Sequence, residues 1–432
     1  MRRITYKQKN FDSVLNSLYK RPSFPSEIEQ SVQKILFDVK ENGNRAIKEY
    51  AKKFDNAVFK KSSEFSVSEN EMNAASSQLD SECKKAINTS LVNITSFAKK
   101  RLPKPWTYSP RPGVILGERF EPFDRVGVYI PGGTAPLAST VIHTAGLAKA
   151  AGVHEIVAVT PPREDGSVHP AILYALGKAG ATEVYKLGGV YGIGALAYGT
   201  RTIKKVEKIV GPGNAYVTAA KKIVYGEVAI DMVAGPSEIM IIADSQGNPE
   251  FIAADMLSQA EHGSGLEQAV LVTTSLKLID NVAEALKRQA QELSRAETVA
   301  KVLDNGVFFI HVKDMDQATS IASSYAPEHL EIMCEQAGNV AKKVKAAGAI
   351  FIGKWTPEPV GDFLAGPSHV LPTAGSARFF SGLTAESFIR RMSIVNYQKS
   401  ALEKELPLIQ KFAEMEGLDA HGRSASIRIN GK

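Results

Sequence analysis

The chain has 432 residues, 44% hydrophobic and 23% charged, which is ordinary globular composition and enough for two or more cored domains. Its 52 basic and 46 acidic residues leave a net charge of +6, but the basic runs (Lys60-Lys61, Lys99-Lys100-Arg101, Lys221-Lys222) are short, as on solvated helix faces, and no aromatic–basic interleaving points to nucleic acid. Two cysteines, Cys83 and Cys334, exclude a disulfide framework and a thiolate zinc site; with no apolar leader in MRRITYKQKNF and no run near ~18 apolar residues, a cytoplasmic protein that spans no membrane is expected.

Residues 26 to 101 read as mostly helical, since SEIEQSVQKILFDVKENGNRAIKEYAKKF repeats apolar residues every three to four positions. The four prolines of PKPWTYSPRPG (103–113) predict a linker. Beyond it RVGVYIPG, EIVAVTPP, EVYKLGG and KIVGPGN read as strands, separated by the helical stretches STVIHTAGLAKAAG, PAILYALGKAG and YGIGALAYGT. From about residue 236 the same alternation returns: SEIMIIAD, QAVLVTT, GVFFIHV, HLEIMC and AIFIGKW as strands, with helices between them. Short β-branched runs alternating with helices predict parallel sheets covered on both faces, here two doubly wound, Rossmann-like α/β domains. After about 376 the chain reads as helical (LTAESFIRRM, SALEKELPLIQKFAEMEG) and is too short to form a core alone, so this tail must dock on its own chain or on a partner's.

Glycine turns at strand ends are candidate phosphate cradles, because close backbone approach and a helix N-terminus suit an anion. IPGGTAP (130–136) and GPGN (211–214) qualify, and Gly192 to Ala197 formally fits G-x-G-x-x-A. The acid expected at the tip of the following strand is missing, so plain helix–strand packing explains the last motif equally well.

Histidines are sharper clues, since there are eight. His143, His154, His169 and His311 sit in ordinary βα units and read as structural, whereas His262, His329, His369 and His421 lie in loop-like stretches beside Asp, Glu, Gly and Pro. Each of these four reads singly as a satisfied surface or core histidine; together they have the composition of a metal or acid–base site. No H-E-x-x-H or C-x-x-C is present, so a metal site must be assembled from distant segments: Gln259 and His262 at one helix end, Asp362 in VGDF, and a further histidine. Two nitrogens and two oxygens suit zinc, with manganese open. Glu328 and His329 follow Pro327 and could reach one pocket, dividing general-base work over two steps. Cys334, in LEIMCEQ with no base nearby, reads as a buried inert thiol rather than a nucleophile.

The stretches VGVYIPGGTAPLASTV, LAYGT, KIVGPGNAYV, IDMVAGPSEI, DMLSQAEH, YAPEHLEI, GDFLAGPSHVLPT and EGLDAHG resemble the histidinol dehydrogenase family over nearly the full chain. The resemblance implies an NAD-linked oxidation of L-histidinol through an enzyme-held aldehyde to L-histidine, with one zinc per subunit. It implies that Gln259, His262, Asp362 and His421 hold the zinc, which grips the imidazole and amine of the substrate. His329 matches the base for the alcohol proton and Glu328 the residue that activates water. Ser237 and Glu416 match substrate contacts, joined by Gln259, His262, His329, Asp362 and His421; Tyr129 and Asn214 match NAD contacts. One departure stands at 190–191, where the family has Ala-Gln and this chain has Val190-Tyr191, so Tyr191 replaces a glutamine that contacts NAD. The resemblance further implies a homodimer whose tail, 376–432, crosses to complete the neighbour's site. On it the chain divides into an N-terminal segment (1–25), a discontinuous α/β domain carrying the chemistry (26–115 with 236–375) and an NAD-binding domain (116–235). Rival readings are a paralogue oxidising another polar alcohol, such as a sulfonated propanediol, a zinc hydrolase using Glu328, and a non-catalytic nucleotide binder.

Overall fold

Apolar, β-branched runs bounded by turns build two parallel sheets, and a third, antiparallel one joins distant parts of the chain. The structure, a computed structural model, describes residues 1–21, 26–132, 136–262 and 264–431. The strands are β1 (Arg2–Thr5), β2 (Trp106–Arg111), β3 (Val114–Pro122), β4 (Arg125–Tyr129), β5 (Glu155–Val159), β6 (Glu183–Tyr185) and β7 (Lys208–Val210). They continue as β8 (Ala229–Ile230), β9 (Glu238–Ala243), β10 (Gln268–Thr273), β11 (Val307–His311), β12 (His329–Met333), β13 (Ala349–Ile352) and β14 (Ile389–Tyr397).

The five-stranded sheet runs β6-β5-β4-β7-β8, with every neighbouring pair parallel. Alternate residues serve opposite faces, as strand geometry demands. Val126, Val128, Ile156 and Ala158 face one core with Ile87 and Ile94. Tyr129, Val157 and Val159 face the other with Val32, Leu36, Val39 and Ile47. The helices of residues 26–99 therefore pack on this sheet. That differs from the grouping of 26–115 with 236–375, because helical periodicity says which face is apolar but not which sheet will cover it.

The six-stranded sheet runs β1-β11-β10-β9-β12-β13, again all parallel. Ile239, Ile241 and Ala243 face one layer, Met240 and Ile242 the other. The N-terminal segment supplies its edge strand, and Phe11, Leu15 and Leu18 of the helix Phe11–Tyr19 pack on it. In each sheet the strand order reverses at an interior strand, at β4/β7 in one and at β9/β12 in the other.

Two stretches fold otherwise than their composition predicts. The stretch 103–113 is no linker: it contains β2, the edge of the sheet β14-β3-β2, where Pro110 falls in a register shift between Tyr108 and Arg111. An edge strand tolerates proline at such an irregularity because no ladder bond needs its missing N–H. The stretch LTAESFIRRM is likewise not a helix but a 3₁₀ turn (Ala385–Phe388) leading into β14, which pairs antiparallel with β3 from Ile389↔Pro122 to Tyr397↔Val114. Tertiary pairing overrides local helix preference there. The helices Lys399–Glu416 and Asp419–Asn430 then close the chain, packed on each other where Gly422 meets Ala413. Among the described residues no helix is long and apolar enough to cross a membrane.

The G-x-G-x-x-A motif lies inside the helix Gly189–Tyr198, past its first turn, and cannot be the strand-to-helix cradle. Its use is steric. A Cβ on Gly194 would stand 3.1 Å from Val39 and 3.3 Å from Leu36, so glycine lets the two helices touch. Gly194→Val is expected to lower stability by about 1–3 kcal/mol through overpacking, read as a lower urea midpoint with an unchanged slope.

Candidate active site

Glu328 and His329 enter β12 at the amino end of the six-stranded sheet, both buried. Glu328 Oε2 accepts the backbone N–H of Glu238 at 3.0 Å, and His329 Nδ1 lies 3.3 Å from the Glu238 carbonyl oxygen. A carbonyl only accepts, so Nδ1 carries a proton, and Nε2 is the nitrogen turned to the carboxylates. Among the described residues that Nε2 has no hydrogen-bond partner, and it lies 3.7 Å from Asp362 Oδ1 and 3.9 Å from Glu358 Oε1.

The helix Pro249–Ala260 runs back to the same end of the sheet and delivers Gln259 and, just past its cap, His262. Ligand atoms of His262, Glu358 and Asp362 lie within 4.8 Å of one another. Gln259 is fully buried, yet among the described residues neither polar atom of its amide has a partner, and Glu358 Oε1 is likewise unpartnered. Orphaned buried polar groups are costly unless something satisfies them. An imidazole, an amide and two carboxylates form a nitrogen–oxygen donor set that fits a divalent cation such as zinc. The partial negative charge at the C-terminus of that helix favours a cation further.

Glu358 was not singled out from sequence. Its signal is the spacing to Asp362 in EPVGDF: four apart on the short helix Glu358–Phe363, the two carboxylates share a face. Ser258 Oγ donates to Glu358 Oε2 at 2.9 Å and so ties this helix to the one bearing Gln259.

Crowded carboxylates set the electrostatics. Burial pushes Glu328 up to about 8, and Glu358 up to about 7. Burial alone would depress His329, but Glu328, Asp362 and Glu358 outweigh it and hold the imidazole at about 10. Asp362 stays below the usual carboxylate range, because the neighbouring His329 and His369 outweigh its burial. His369 stacks on buried His143 (centroids 4.1 Å apart, planes within 11°), and its backbone N–H donates to His143 Nδ1 at 3.1 Å.

A cleft of about 930 Å³ opens from His329, Asp362 and His369 towards Asp231, beside the five-stranded sheet. Asp231 accepts the Gly211 N–H at 2.8 Å, at the carboxyl ends of β4 and β7; these strands, neighbours at the strand-order reversal, carry Tyr129 and the GPGN turn, the place where open α/β sheets bind ligands. Gly211 has φ +120°, and a Cβ there would stand 2.2 Å from the Tyr129 carbonyl oxygen, so only glycine fits. Lys221, buried and ion-paired with Asp231, donates to the Gly211 carbonyl at 2.8 Å and fixes the turn. Asn214 caps the helix Ala215–Val224, and the Tyr129 hydroxyl accepts the Gly189 N–H at 3.2 Å. Gly133 to Ala135 of the other glycine turn lie outside the described residues.

Comparison with known proteins decides the family. The family model for histidinol dehydrogenase matches residues 19–429. The chain is 45% identical to a histidinol dehydrogenase of Clostridium acetobutylicum over 404 residues, 94% of this chain and 93% of that one. It is 42% identical to that of Carboxydothermus hydrogenoformans over 422 residues, 98% of each. The crystal structure of histidinol dehydrogenase from Elizabethkingia anophelis superposes with a TM-score of 0.94 at 37% identity, covering 100% of this chain and 98% of that one. The chain belongs to the histidinol dehydrogenase family.

It is accordingly an oxidoreductase. Within the chain Glu328, His329, His262 and Asp362 converge, and Gln259 lies one helical turn before His262. Ser237 is half-buried immediately before β9. Glu416 and His421 are exposed on the tail, and His421 is not in the cluster with His262. Tyr191 is enclosed in the core with its hydroxyl bonded to Asp55, so its polar end is already engaged. Cys334 is half-buried just beyond β12, its thiol pushed up by burial, which agrees with an inert residue.

Proposed function

We propose that this histidinol dehydrogenase carries out the zinc-dependent, NAD-linked, four-electron oxidation of L-histidinol through L-histidinal to L-histidine, the last steps of histidine biosynthesis. The observation that carries the reading is the buried Glu328–His329 pair, clasped by the backbone N–H and carbonyl of Glu238 beside the donors Gln259, His262, Glu358 and Asp362. When bound, a divalent cation would hold the substrate's imidazole and amine and offset the carboxylate charge that keeps His329 protonated. NAD, the hydride acceptor, would lie at the β4/β7 end of the cleft against Tyr129 and Asn214; Tyr191, with its hydroxyl on Asp55, supplies no equivalent of the family's glutamine contact.

His329 Nε2 accepts the proton of the alcohol as the first hydride leaves its carbon. Glu328, a stronger base than a solvated carboxylate because it is buried, takes a proton from the water that adds to the aldehyde. The resulting hydrate loses the second hydride. Alcohol, water and two NAD thus give carboxylate, two NADH and three protons. The rival substrate class, a sulfonated propanediol or similar alcohol, is separated by one assay: NADH formation with histidinol and none with such alcohols supports this reading, and the reverse overturns it.

We further propose a cytoplasmic homodimer with shared sites. Two observations support it: the tail carries Glu416 and His421 on its surface, and it exposes Leu408, Phe412, Met415 and Leu418, an apolar stripe that a second copy would cover. His421 of one chain would complete the donor set of the other, and Glu416 would reach its substrate. Mixing inactive His262→Ala with inactive His421→Ala chains is expected to restore part of the activity, because one site of each mixed dimer carries neither lesion. Demonstrated subunit exchange without activity would mean that the tail serves its own chain.

A further inference from the structure

The backbone of Glu238 holds both Glu328, through its N–H, and His329, through its carbonyl oxygen, so whatever fixes Glu238 also fixes their aim. Its side chain points into the protein, 2% exposed, against a single cation: Arg21 Nε donates to Glu238 Oε2 at 2.8 Å, with the Arg21 side chain itself 5% exposed. The guanidinium is gripped from other directions too. Nη1 donates to the Tyr19 carbonyl at 3.2 Å, Nη2 donates to the Tyr325 carbonyl, and the group lies 3.2 Å from the centre of the Tyr325 ring. The Tyr325 hydroxyl is anchored in turn, donating to Gln268 Oε1 at 2.8 Å.

Tyr325 ends a helix, and after it the chain turns through Ala326, at φ +49°, and Pro327 into Glu328. One planar cation thus clamps the two segments that present the pair: the start of β9 through the Glu238 carboxylate, and the turn into β12 through the Tyr325 carbonyl. A lysine could keep the charge but could not serve both partners and the ring from one fixed plane.

We infer that Arg21 is a positioning residue for the oxidation. It touches no reacting atom. Acting through Glu238 and Tyr325, it keeps β9 and the β12 entry in register, so that His329 retains its Nδ1–H bond and Nε2 stays turned to the cluster. The inference rests on the proposed roles of Glu328 and His329. An ion pair that served stability alone would lower the melting temperature and leave kcat per folded, metal-loaded site untouched.

The test uses the full-length, zinc-loaded enzyme with Arg21→Lys, Arg21→Met and the double change Arg21→Met/Glu238→Gln, and His329→Asn in parallel. Arg21→Lys is expected to fold and hold zinc as the wild type does, to keep its KM for histidinol, and to lose about 10- to 100-fold in kcat, the usual cost of a small misplacement of catalytic groups. In 15N-histidine-labelled protein the His329 Nδ1–H signal is expected to shift. If Arg21→Met fails to fold because it strands a buried carboxylate, the double variant removes that charge and should fold while remaining slow. Wild-type kcat and an unchanged His329 signal in Arg21→Lys would overturn the inference, as would a kcat loss that merely follows zinc loss or unfolding. A fully active His329→Asn would instead overturn the role given to His329; an inactive His329→Asn beside a fully active Arg21→Lys sinks the Arg21 inference alone.

Discussion

His329→Asn is expected to lower kcat for histidinol oxidation by about 10²–10⁴-fold, the contribution of a positioned general base. Asparagine can still donate to the Glu238 carbonyl, which now accepts His329 Nδ1 at 3.3 Å, but it offers nothing basic where Nε2 stands. The loss should fall on the first oxidation, since the alcohol proton then has no acceptor. Glu328→Gln should behave differently. An amide cannot take a proton from water, so the aldehyde should be formed and then hydrated slowly, and histidinal supplied directly should be oxidised worse than histidinol is consumed. Rapid-quench measurement of each half-reaction checks both, and equal damage to both halves by both variants would refute the division of labour.

Asp362→Ala is expected to be nearly as severe, and by another route. It removes one of three groups whose ligand atoms lie within 4.8 Å of one another and leaves His262 and Glu358 without that partner. Outer partners of metal ligands already cost roughly 10- to 100-fold in affinity, so loss of a ligand should exceed that. The purified variant should contain little zinc. Chelation of the wild type should abolish activity, and added zinc should restore it to the wild type but not to Asp362→Ala at equal concentration. Full zinc content in the variant would remove Asp362 from the ligand set.

Much of this was legible in the sequence, where local chemistry decides. Runs such as EIVAV, EIMIIA and VFFIH are buried on both faces and form the parallel strands they predict. His262, His329, Asp362 and Glu328 stood out because charged and imidazole groups sat among glycine and proline at element ends. What stayed hidden depends on partners remote in sequence. β14 pairs with β3 across most of the chain, β1 completes a sheet whose other strands begin at Glu238, and Arg21 meets Glu238 across 217 positions. No periodicity encodes such pairings. Glu358 is the exception, since its i,i+4 relation to Asp362 was readable and only the brevity of the helix concealed it. His143 read as structural, and it is indeed buried, but its ring is stacked on His369 at the cleft, a contact fixed by tertiary packing.

If one site performs both oxidations, the ratio of products to histidinol is fixed. Limiting histidinol should be added to the zinc-loaded enzyme with excess NAD, and NADH and histidine counted at completion. Two NADH and one histidine are expected for each histidinol consumed, with no free aldehyde trapped by semicarbazide. One NADH per histidinol with the aldehyde accumulating in solution would contradict it.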